Sequence, residues 1–134
     1  MINSNKKYSV GFLFDESNDW IEEFFSEESL PFQDKYKYIF SRDKNLIRGM
    51  DIAFILGYTR LLDEKFLMLN NLNLVVHESE LPKGKGFSPV QWQLLKGRNN
   101  ISICLFEAEE KVDSGDIFLK DSFQLEGYEL YDEI

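Results

Sequence analysis

Apolar runs alternate with amphipathic runs along most of the chain. Near-continuous apolar runs predict buried strands, and apolar residues at helical spacing predict helices. Six strands are predicted in this way, in "YSVGFLF", "YKYIFS", "DIAFILGY", "LNLVVH", "ISICLFEA" and "DIFLKDSF". Four helices are predicted between them, in "NDWIEEFFSEESL", "DKNLIRGM", "LDEKFLML" and "SPVQWQLLKG". This alternation indicates an α/β domain with a mostly parallel sheet and flanking helices.

Two of the predicted helices carry capping signals at their first residues. Ser17 or Asn18 is the candidate cap of the first helix. Ser88 is the candidate cap of the helix that starts at Pro89 and ends before Gly97. The tail "GYELYDEI" is typical of the opening turns of another helix, so we expect either a piece of a longer protein or a tail that packs differently. We predict a single domain over residues 1–134.

Composition narrows the classes of function that this domain can serve. Of the 134 residues, 43% are hydrophobic, which is typical of a folded globular protein. No apolar run approaches the ~20 residues that cross a bilayer. The one cysteine, Cys104, lies in an apolar run, where we expect a core role. A net charge of −9 disfavours phosphate backbones, so we expect a protein that binds small molecules or proteins rather than nucleic acid. A single cysteine permits no intrachain disulfide, which fits the reducing cytoplasm that we expect for this protein.

Candidate catalytic residues follow the fourth and fifth predicted strands. The only histidine, His77, ends the fourth strand, where a neutral imidazole can accept a proton near neutral pH. Asp113 follows the fifth strand, and the carboxyl ends of parallel strands share one edge, so Asp113 is the candidate partner that orients His77. The alternative is that His77 is a surface residue where a strand stops and Asp113 is a turn residue. One histidine and one cysteine cannot supply a typical zinc site, so no metal is expected.

Glycines and aromatic residues surround His77 in the sequence. Gly84 and Gly86 either let the backbone approach a ligand closely or permit positive φ in a loop. Neither belongs to a phosphate-binding fingerprint. We expect Phe87 and Trp92 to serve in packing rather than as stacking platforms for a ligand.

The stretch "VVHESELPKGKGFSPVQWQLLKG" resembles the signature of the folate-dependent formyltransferases. That family typically has Asn-x-His-x-Ser-x-Leu-Pro, then a glycine-containing loop, then a helix that begins near a proline. The matching residues are, in order, His77, Ser79, Leu81, Pro82, Gly86, Pro89, Gln91 and Trp92. In "EEKVDSGDIF", Asp113, Gly115 and Asp116 match the family's Asp-x-Gly-Asp. Upstream, "DIAFILGYTRLLDEKFL" is similar to the segment of the family that contacts the folate.

This resemblance implies a Rossmann-like domain that moves a formyl group from 10-formyltetrahydrofolate to an amine. It implies that His77 is the base or electrostatic partner, and that Asp113 tunes it and orders a water. It also implies a folate pocket, read in part through backbone groups, whose candidate residues are Thr59, Arg60, Leu61, Glu109, Glu110, Lys111 and Val112.

One position departs from the family pattern. The family's catalytic asparagine lies two residues before the histidine, and here Val75 stands there without a side-chain donor for the developing oxyanion. Loss of one such donor typically costs ~2.7–4 kcal/mol of transition-state stabilisation. Asn73 lies about 6.6–7 Å further back along the strand, too far to substitute without a bulge. Either another group supplies the donor, or the acceptor amine differs, or formyl transfer has been lost while the fold persists.

The sequence therefore leads to competing predictions of function. The first is transfer of a formyl group to an amine of a small molecule, in particular an amino sugar carried on a nucleotide. The acidic surface, and the absence of a second domain within 134 residues, argue against a tRNA acceptor. The second is a non-catalytic binding module of the same fold, which Val75 favours. A third is a scaffold that uses the "DESNDWIEEFF" helix or the tail as an interface, and a homodimer is the candidate assembly.

Overall fold

The computed structural model describes residues 6–27, 30–111, 113–130 and 133–134. Within these residues the strands are β1 (Tyr8–Phe14), β2 (Tyr36–Ser41), β3 (Ile52–Leu56), β4 (Asn73–His77), β5 (Asn100–Glu107) and β6 (Ile117–Gln124). The helices are α1 (Trp20–Glu27), α2 (Glu64–Leu67) and α3 (Pro89–Leu95), with short 3-10 turns at Glu16–Asn18 and Lys44–Leu46. The strands form one sheet in the order β2-β1-β3-β4-β5-β6. The predicted α/β class, with a mostly parallel sheet and flanking helices, is confirmed.

The chain divides into two compact units, residues 1–74 and 75–134. In the first unit, β1 is parallel to both β2 and β3, and Phe12 lies opposite Phe40 and Phe54. The ring centroid of Phe12 lies 4.8 Å from that of Phe40 and 5.4 Å from that of Phe54. Register-matched residues share a face of the sheet, so these three rings form an aromatic layer across it. On β1 the side chains of Leu13 and Phe14 are completely buried.

Helix α1 buries less of its apolar stripe than its sequence predicts. Ile21 is fully buried and Phe25 is half-buried, whereas Trp20 and Phe24 are exposed. The predicted capping by Asn18 is wrong, because its side-chain amide donates to the carbonyl of Gly57 at 2.9 Å and accepts from the indole of Trp20 at 3.2 Å. The Asn18 side chain therefore ties the exit of β1 to the exit of β3.

The second unit is built on an antiparallel pair of strands. β5 runs antiparallel to β6, with Asn100 opposite Gln124 and an irregularity after Leu105. A buried cluster of Leu81, Cys104 and Phe106 lies in this unit, and Val75 packs against it. The thiol of Cys104 is buried, which confirms its predicted core role.

The start of α3 corrects two predictions. Ser88 has φ of +56° and its side chain makes no capping hydrogen bond. An N-cap side chain normally acts from the extended region, so the left-handed backbone of Ser88 accounts for the missing cap. Phe87 and Trp92 were expected to serve in packing, but their side chains are 76% and 59% exposed. Helical spacing shows which residues share one face of a helix, but it does not show whether another element packs against that face.

The predicted C-terminal helix is absent from residues 127–130, and the part of this prediction that falls on residues 131–132 lies outside the described residues. Residues 125–130 form no helix. Instead the carboxylate of Glu129 accepts hydrogen bonds from the backbone N–H groups of Glu126, Gly127 and Tyr128. The bond from Glu126, and to a smaller extent the one from Gly127, lowers the pKa of Glu129. No helix in the described part of the chain is long and apolar enough to cross a membrane.

Candidate functional site

His77 lies at the end of β4 with its imidazole largely buried. Its Nε2 atom lies 2.9 Å from the carbonyl oxygen of Gly84. A carbonyl oxygen can only accept a hydrogen bond, so Nε2 must carry the proton of this contact. In the neutral ring the lone pair is then on Nδ1, which is the nitrogen left to accept a proton.

Asp113 meets His77 as the sequence predicts. The Oδ2 atom of Asp113 lies 3.6 Å from Nε2 of His77, and both side chains are only 10% exposed. The same Oδ2 accepts a hydrogen bond from the backbone N–H of Gly86 at 2.9 Å. Their burial and contact contradict the alternative of a surface strand end beside an unrelated turn. The geometry does not test their catalytic roles, which stay predictions.

Two glycines shape the loop that closes over His77. Gly84 has φ of +73° and Gly86 has φ of +98°, both in the region that favours glycine. Each supplies a backbone group to the cluster: Gly84 gives its carbonyl to His77, and Gly86 gives its N–H to Asp113. The sequence left open whether these glycines let the backbone approach a ligand or permit positive φ in a loop, and the structure shows the positive φ.

A third glycine anchors the loop that carries Asp113. A Cβ atom on Gly115 would lie 1.7 Å from the carbonyl oxygen of Glu107, so no side chain fits there. The backbone N–H of Glu107 donates to the carbonyl of Asp116 at 2.9 Å. Asp113 itself has φ of +53°, a conformation that aspartate tolerates better than most residues. The Asp-x-Gly-Asp pattern is thus a turn whose shape presents the Asp113 carboxylate.

Val75 occupies the position where a donor is expected, and it has a packing role. It is partly buried against the cluster of Leu81, Cys104 and Phe106. The ring of His77 meets the ring of Phe106 edge-on, with centroids 6.4 Å apart and planes at 87°. Val75 and His77 thus both lie beside Phe106, as the alternation of side chains along β4 requires.

Asn73 cannot replace the missing donor, because its side-chain amide is already engaged. Its Nδ2 atom donates to the carbonyl of Leu67 at 2.9 Å, and its Oδ1 atom accepts from Asn70 at 3.0 Å. Asn73 is buried, so freeing this amide would leave Asn70 and Leu67 without their partner.

The predicted folate residues Thr59, Arg60 and Leu61 lie in the first unit. Thr59 donates both its backbone N–H, at 2.7 Å, and its hydroxyl to Oδ2 of Asp15. The donors of Thr59 are therefore engaged within the chain. Arg60 and Leu61 line a cavity of about 370 Å³, and the Arg60 guanidinium lies 6.0 Å from the ring centroid of Tyr58. These two side chains are the ones that can face a ligand.

Arg42 also lines this cavity, but its charge is largely engaged by acids. Its guanidinium lies 2.6 Å from Asp19 and 2.9 Å from Glu22. The hydrogen bond to Asp19, together with the charges of both acids, raises the pKa of Arg42. Arg60 is therefore better placed than Arg42 to attract an anionic group.

The remaining predicted folate residues lie in the loop that carries Asp113, in the second unit. Glu109, Glu110 and Lys111 are exposed. The hydroxyl of Ser114 donates to the carbonyl of Lys111 at 2.7 Å and to the carboxylate of Glu109 at 3.3 Å, which holds this loop in shape. Val112 lies outside the described residues.

Two buried polar residues support the site and were not predicted as functional. Gln93 donates its side-chain amide to the carbonyl of Glu78 at 2.6 Å and accepts from the backbone N–H of Ser102 at 3.1 Å. Ser79, two residues after His77, is 2% exposed. No signal in a single sequence marks either side chain as buried, because both residue types are usually exposed.

Comparisons with known proteins identify the family of the chain. The family model described as formyl transferase matches residues 2–129. The methionyl-tRNA formyltransferase of Lactobacillus acidophilus is 32% identical over 103 residues, which cover 75% of this chain and 33% of that protein. The chain thus spans about a third of the length of that curated relative.

Solved structures show the same fold. A methionyl-tRNA formyltransferase from Clostridium thermocellum has a TM-score of 0.71 at 19% identity, covering 88% of this chain and 54% of that one. A likely sugar N-formyltransferase from Mycobacterium tuberculosis has a TM-score of 0.62 at 12% identity, covering 89% and 56%. At these identities the likeness concerns the Rossmann-like fold, and the match over residues 2–129 gives the family. The chain belongs to the folate-dependent formyltransferase family.

Proposed function

We propose that this chain carries the site of an enzyme that moves a formyl group from 10-formyltetrahydrofolate to the amine of a small molecule. The observation that carries the proposal is the arrangement around Nε2 of His77, with the Gly84 carbonyl at 2.9 Å and the Asp113 carboxylate at 3.6 Å. A histidine oriented by a buried carboxylate is the usual arrangement of a general base.

The reaction requires one proton to leave the amine. A bond forms between the amine nitrogen and the formyl carbon, the bond from that carbon to the donor nitrogen breaks, and the donor nitrogen gains a proton. In this proposal Nδ1 of His77 takes the proton from the amine. The ring then becomes positive, and the Gly84 carbonyl and the Asp113 carboxylate stabilise that charge.

The structure supports some of the candidate donor-binding residues more strongly than others. The donor has a flat pterin and carboxylates, which suit backbone groups and a guanidinium respectively. Arg60 and Leu61 line a cavity, and the loop of Glu109, Glu110, Lys111 and Val112 carries Asp113 at its end. Thr59 would act by shaping the backbone, because Asp15 already accepts from both of its donors.

The acceptor that we propose is an amino sugar carried on a nucleotide. The net charge of −9 supports a small acceptor, because tRNA is a polyanion that an acidic surface repels. The relative from Lactobacillus acidophilus is named for methionyl-tRNA, so this acceptor is the competing candidate. The single buried cysteine fits a reducing cytoplasm as the compartment of the protein. The assembly that we propose is a homodimer.

The test is to incubate the full-length protein with 10-formyltetrahydrofolate and, separately, with a panel of nucleotide-linked amino sugars, with methionyl-tRNA, and with no acceptor. Formylated product is measured by mass spectrometry. Product from an amino sugar supports the proposal. Product from methionyl-tRNA alone overturns the acceptor, and no product from any acceptor overturns the activity.

Val75 favours a second candidate, a binding module that has kept the fold without the transfer. Its side chain packs against an apolar cluster and offers no donor to an oxyanion. Such a module would bind folate or a nucleotide with no turnover. Calorimetry with tetrahydrofolate separates the two candidates, because binding without formyl transfer supports the module.

A further inference from the structure

Ser79 is held tightly beneath the loop that closes over His77. Its backbone N–H donates to the carbonyl of His77 at 2.9 Å, and its own carbonyl accepts from the thiol of Cys104 at 2.9 Å. The residue is 2% exposed. The backbone of Ser79 is therefore tied to both β4 and β5, and its side chain has little freedom to move.

The side chain of Ser79 lies against Gly84. A Cβ atom placed on Gly84 would lie 2.9 Å from Cβ of Ser79 and 3.5 Å from its hydroxyl oxygen. The two residues thus approach as closely as a serine and a glycine permit. A larger group at either position would push the turn away from its present place.

The hydroxyl of Ser79 plays no visible part in bonding. Its oxygen is buried and makes no hydrogen bond within the described residues. A buried hydroxyl without a partner loses stability rather than adding it. Size, rather than polarity, is therefore the property of Ser79 that the loop uses.

We propose that Ser79 is a positioning residue, whose small side chain lets the Gly84 turn close until its carbonyl holds the Nε2 proton of His77. The carbonyl lies 2.9 Å from Nε2, so a displacement of one ångström would remove the bond. The consequence for formyl transfer rests on the proposed function, whereas the position of the proton on His77 does not.

Nitrogen NMR of the 15N-labelled full chain tests this inference without any substrate. His77 is the only histidine of the chain, so a two-bond correlation spectrum reports its tautomer without ambiguity from other histidines. The wild type is expected to carry its proton on Nε2. Ser79→Ala, which keeps the small size, is expected to show the same tautomer. Ser79→Val is expected to lower the ratio of the Nε2–H tautomer to the Nδ1–H tautomer by about two- to tenfold, which corresponds to the net free energy of one hydrogen bond.

A matched control separates positioning from general loss of stability. Ile101→Ala empties a fully buried site on β5 and is expected to lower the melting temperature while leaving the tautomer unchanged. If Ser79→Val does not fold, Ser79→Thr, which adds a single methyl group, replaces it. The inference is overturned if the wild type carries its proton on Nδ1, or if Ser79→Val or Ser79→Thr keeps the wild-type tautomer ratio. It is also overturned if Ser79→Ala or Ile101→Ala shifts the ratio as much as the larger side chain at position 79 does.

Discussion

Gly86 donates its backbone N–H to Oδ2 of Asp113 at 2.9 Å, although 27 residues separate them. The same oxygen lies 3.6 Å from Nε2 of His77. The loop after β4 therefore orients both members of the candidate pair, since Gly84 bonds the imidazole and Gly86 bonds the carboxylate.

Replacing the carboxylate of Asp113 by an amide should weaken catalysis without unfolding the protein. Asn tolerates the positive φ of Asp113 and keeps an oxygen for the N–H of Gly86. Asp113→Asn is expected to lower turnover about a hundredfold, because the positive ring loses its counter-charge. The measurement is formyl transfer beside thermal unfolding. Asp121→Asn, at an exposed position on β6, is the control, and an equal loss in both variants would refute a special role for Asp113.

Restoring an amide at Val75 tests whether the missing donor limits the rate. Val75→Asn is expected to raise turnover, by up to about a hundredfold, if the oxyanion lacks a donor in the natural chain. It should also lower the free energy of unfolding by about 1–3 kcal/mol, because an amide replaces a partly buried apolar group that packs against a buried apolar cluster. Val75→Ala is the control, since it loses packing and adds no donor. A rate that does not rise in the folded Asn variant would show that another group stabilises the oxyanion.

Gly115 should tolerate no side chain at all. Gly115→Ala places a Cβ 1.7 Å from the carbonyl of Glu107, so the turn must move, and we expect a loss of more than about 2 kcal/mol in the free energy of unfolding. Gly97→Ala is the matched control, because Gly97 has φ of +72° but open space around its Cβ position. Its cost should be about 1–2 kcal/mol, from backbone strain alone. Urea unfolding of both variants gives the comparison, and a milder effect at Gly115 than at Gly97 would contradict it.

Asp51 should contribute to the pH dependence of stability. The backbone N–H of Ser9 donates to Oδ2 of Asp51 at 2.8 Å and its hydroxyl donates at 3.0 Å, and these bonds lower the pKa of Asp51 from its ordinary value of 3.8. A carboxyl whose pKa is lowered by folding adds stability above the unfolded pKa and loses it as pH falls through the folded pKa. The wild type should therefore lose stability below about pH 4 more steeply than Asp51→Asn.

Urea unfolding at a series of pH values measures this difference. Ser9→Ala is the control, because it removes the hydroxyl donor and leaves the backbone donor, which is the larger cause of the shift. It should keep most of the pH dependence of the wild type. Parallel curves for wild type and Asp51→Asn would show that the Ser9 contacts contribute nothing.

Most strands of this chain could be predicted from the sequence, because they are short apolar runs. The exception in burial is β6, which was predicted as a buried strand but exposes nearly all of its residues. The predicted first and second strands, "YSVGFLF" and "YKYIFS", coincide with β1 and β2 residue for residue. The meeting of His77 and Asp113 was also predictable, since both follow strands and strand exits share an edge.

The sequence could not show the tertiary contacts between residues that lie far apart along the chain. Thr59 was predicted to face a ligand, but the carboxylate that takes its donors, Asp15, is 44 residues away. Trp92 lies at a helical position that looks internal, yet it is exposed. In the tail, Glu129 bonds backbone N–H groups in a turn where the pattern suggested a helix, because a short acidic stretch suits either structure.

The claim that His77 serves as the base of formyl transfer is decided by comparing the wild type with His77→Gln. The glutamine amide can still donate to the carbonyl of Gly84, but it cannot accept the proton of an amine. The full-length protein is given 10-formyltetrahydrofolate and an amine acceptor, and formylated product is followed over time beside the affinity for the donor. We predict a fall in turnover of about a hundredfold or more at unchanged donor affinity. Equal turnover in the two proteins would contradict the claim.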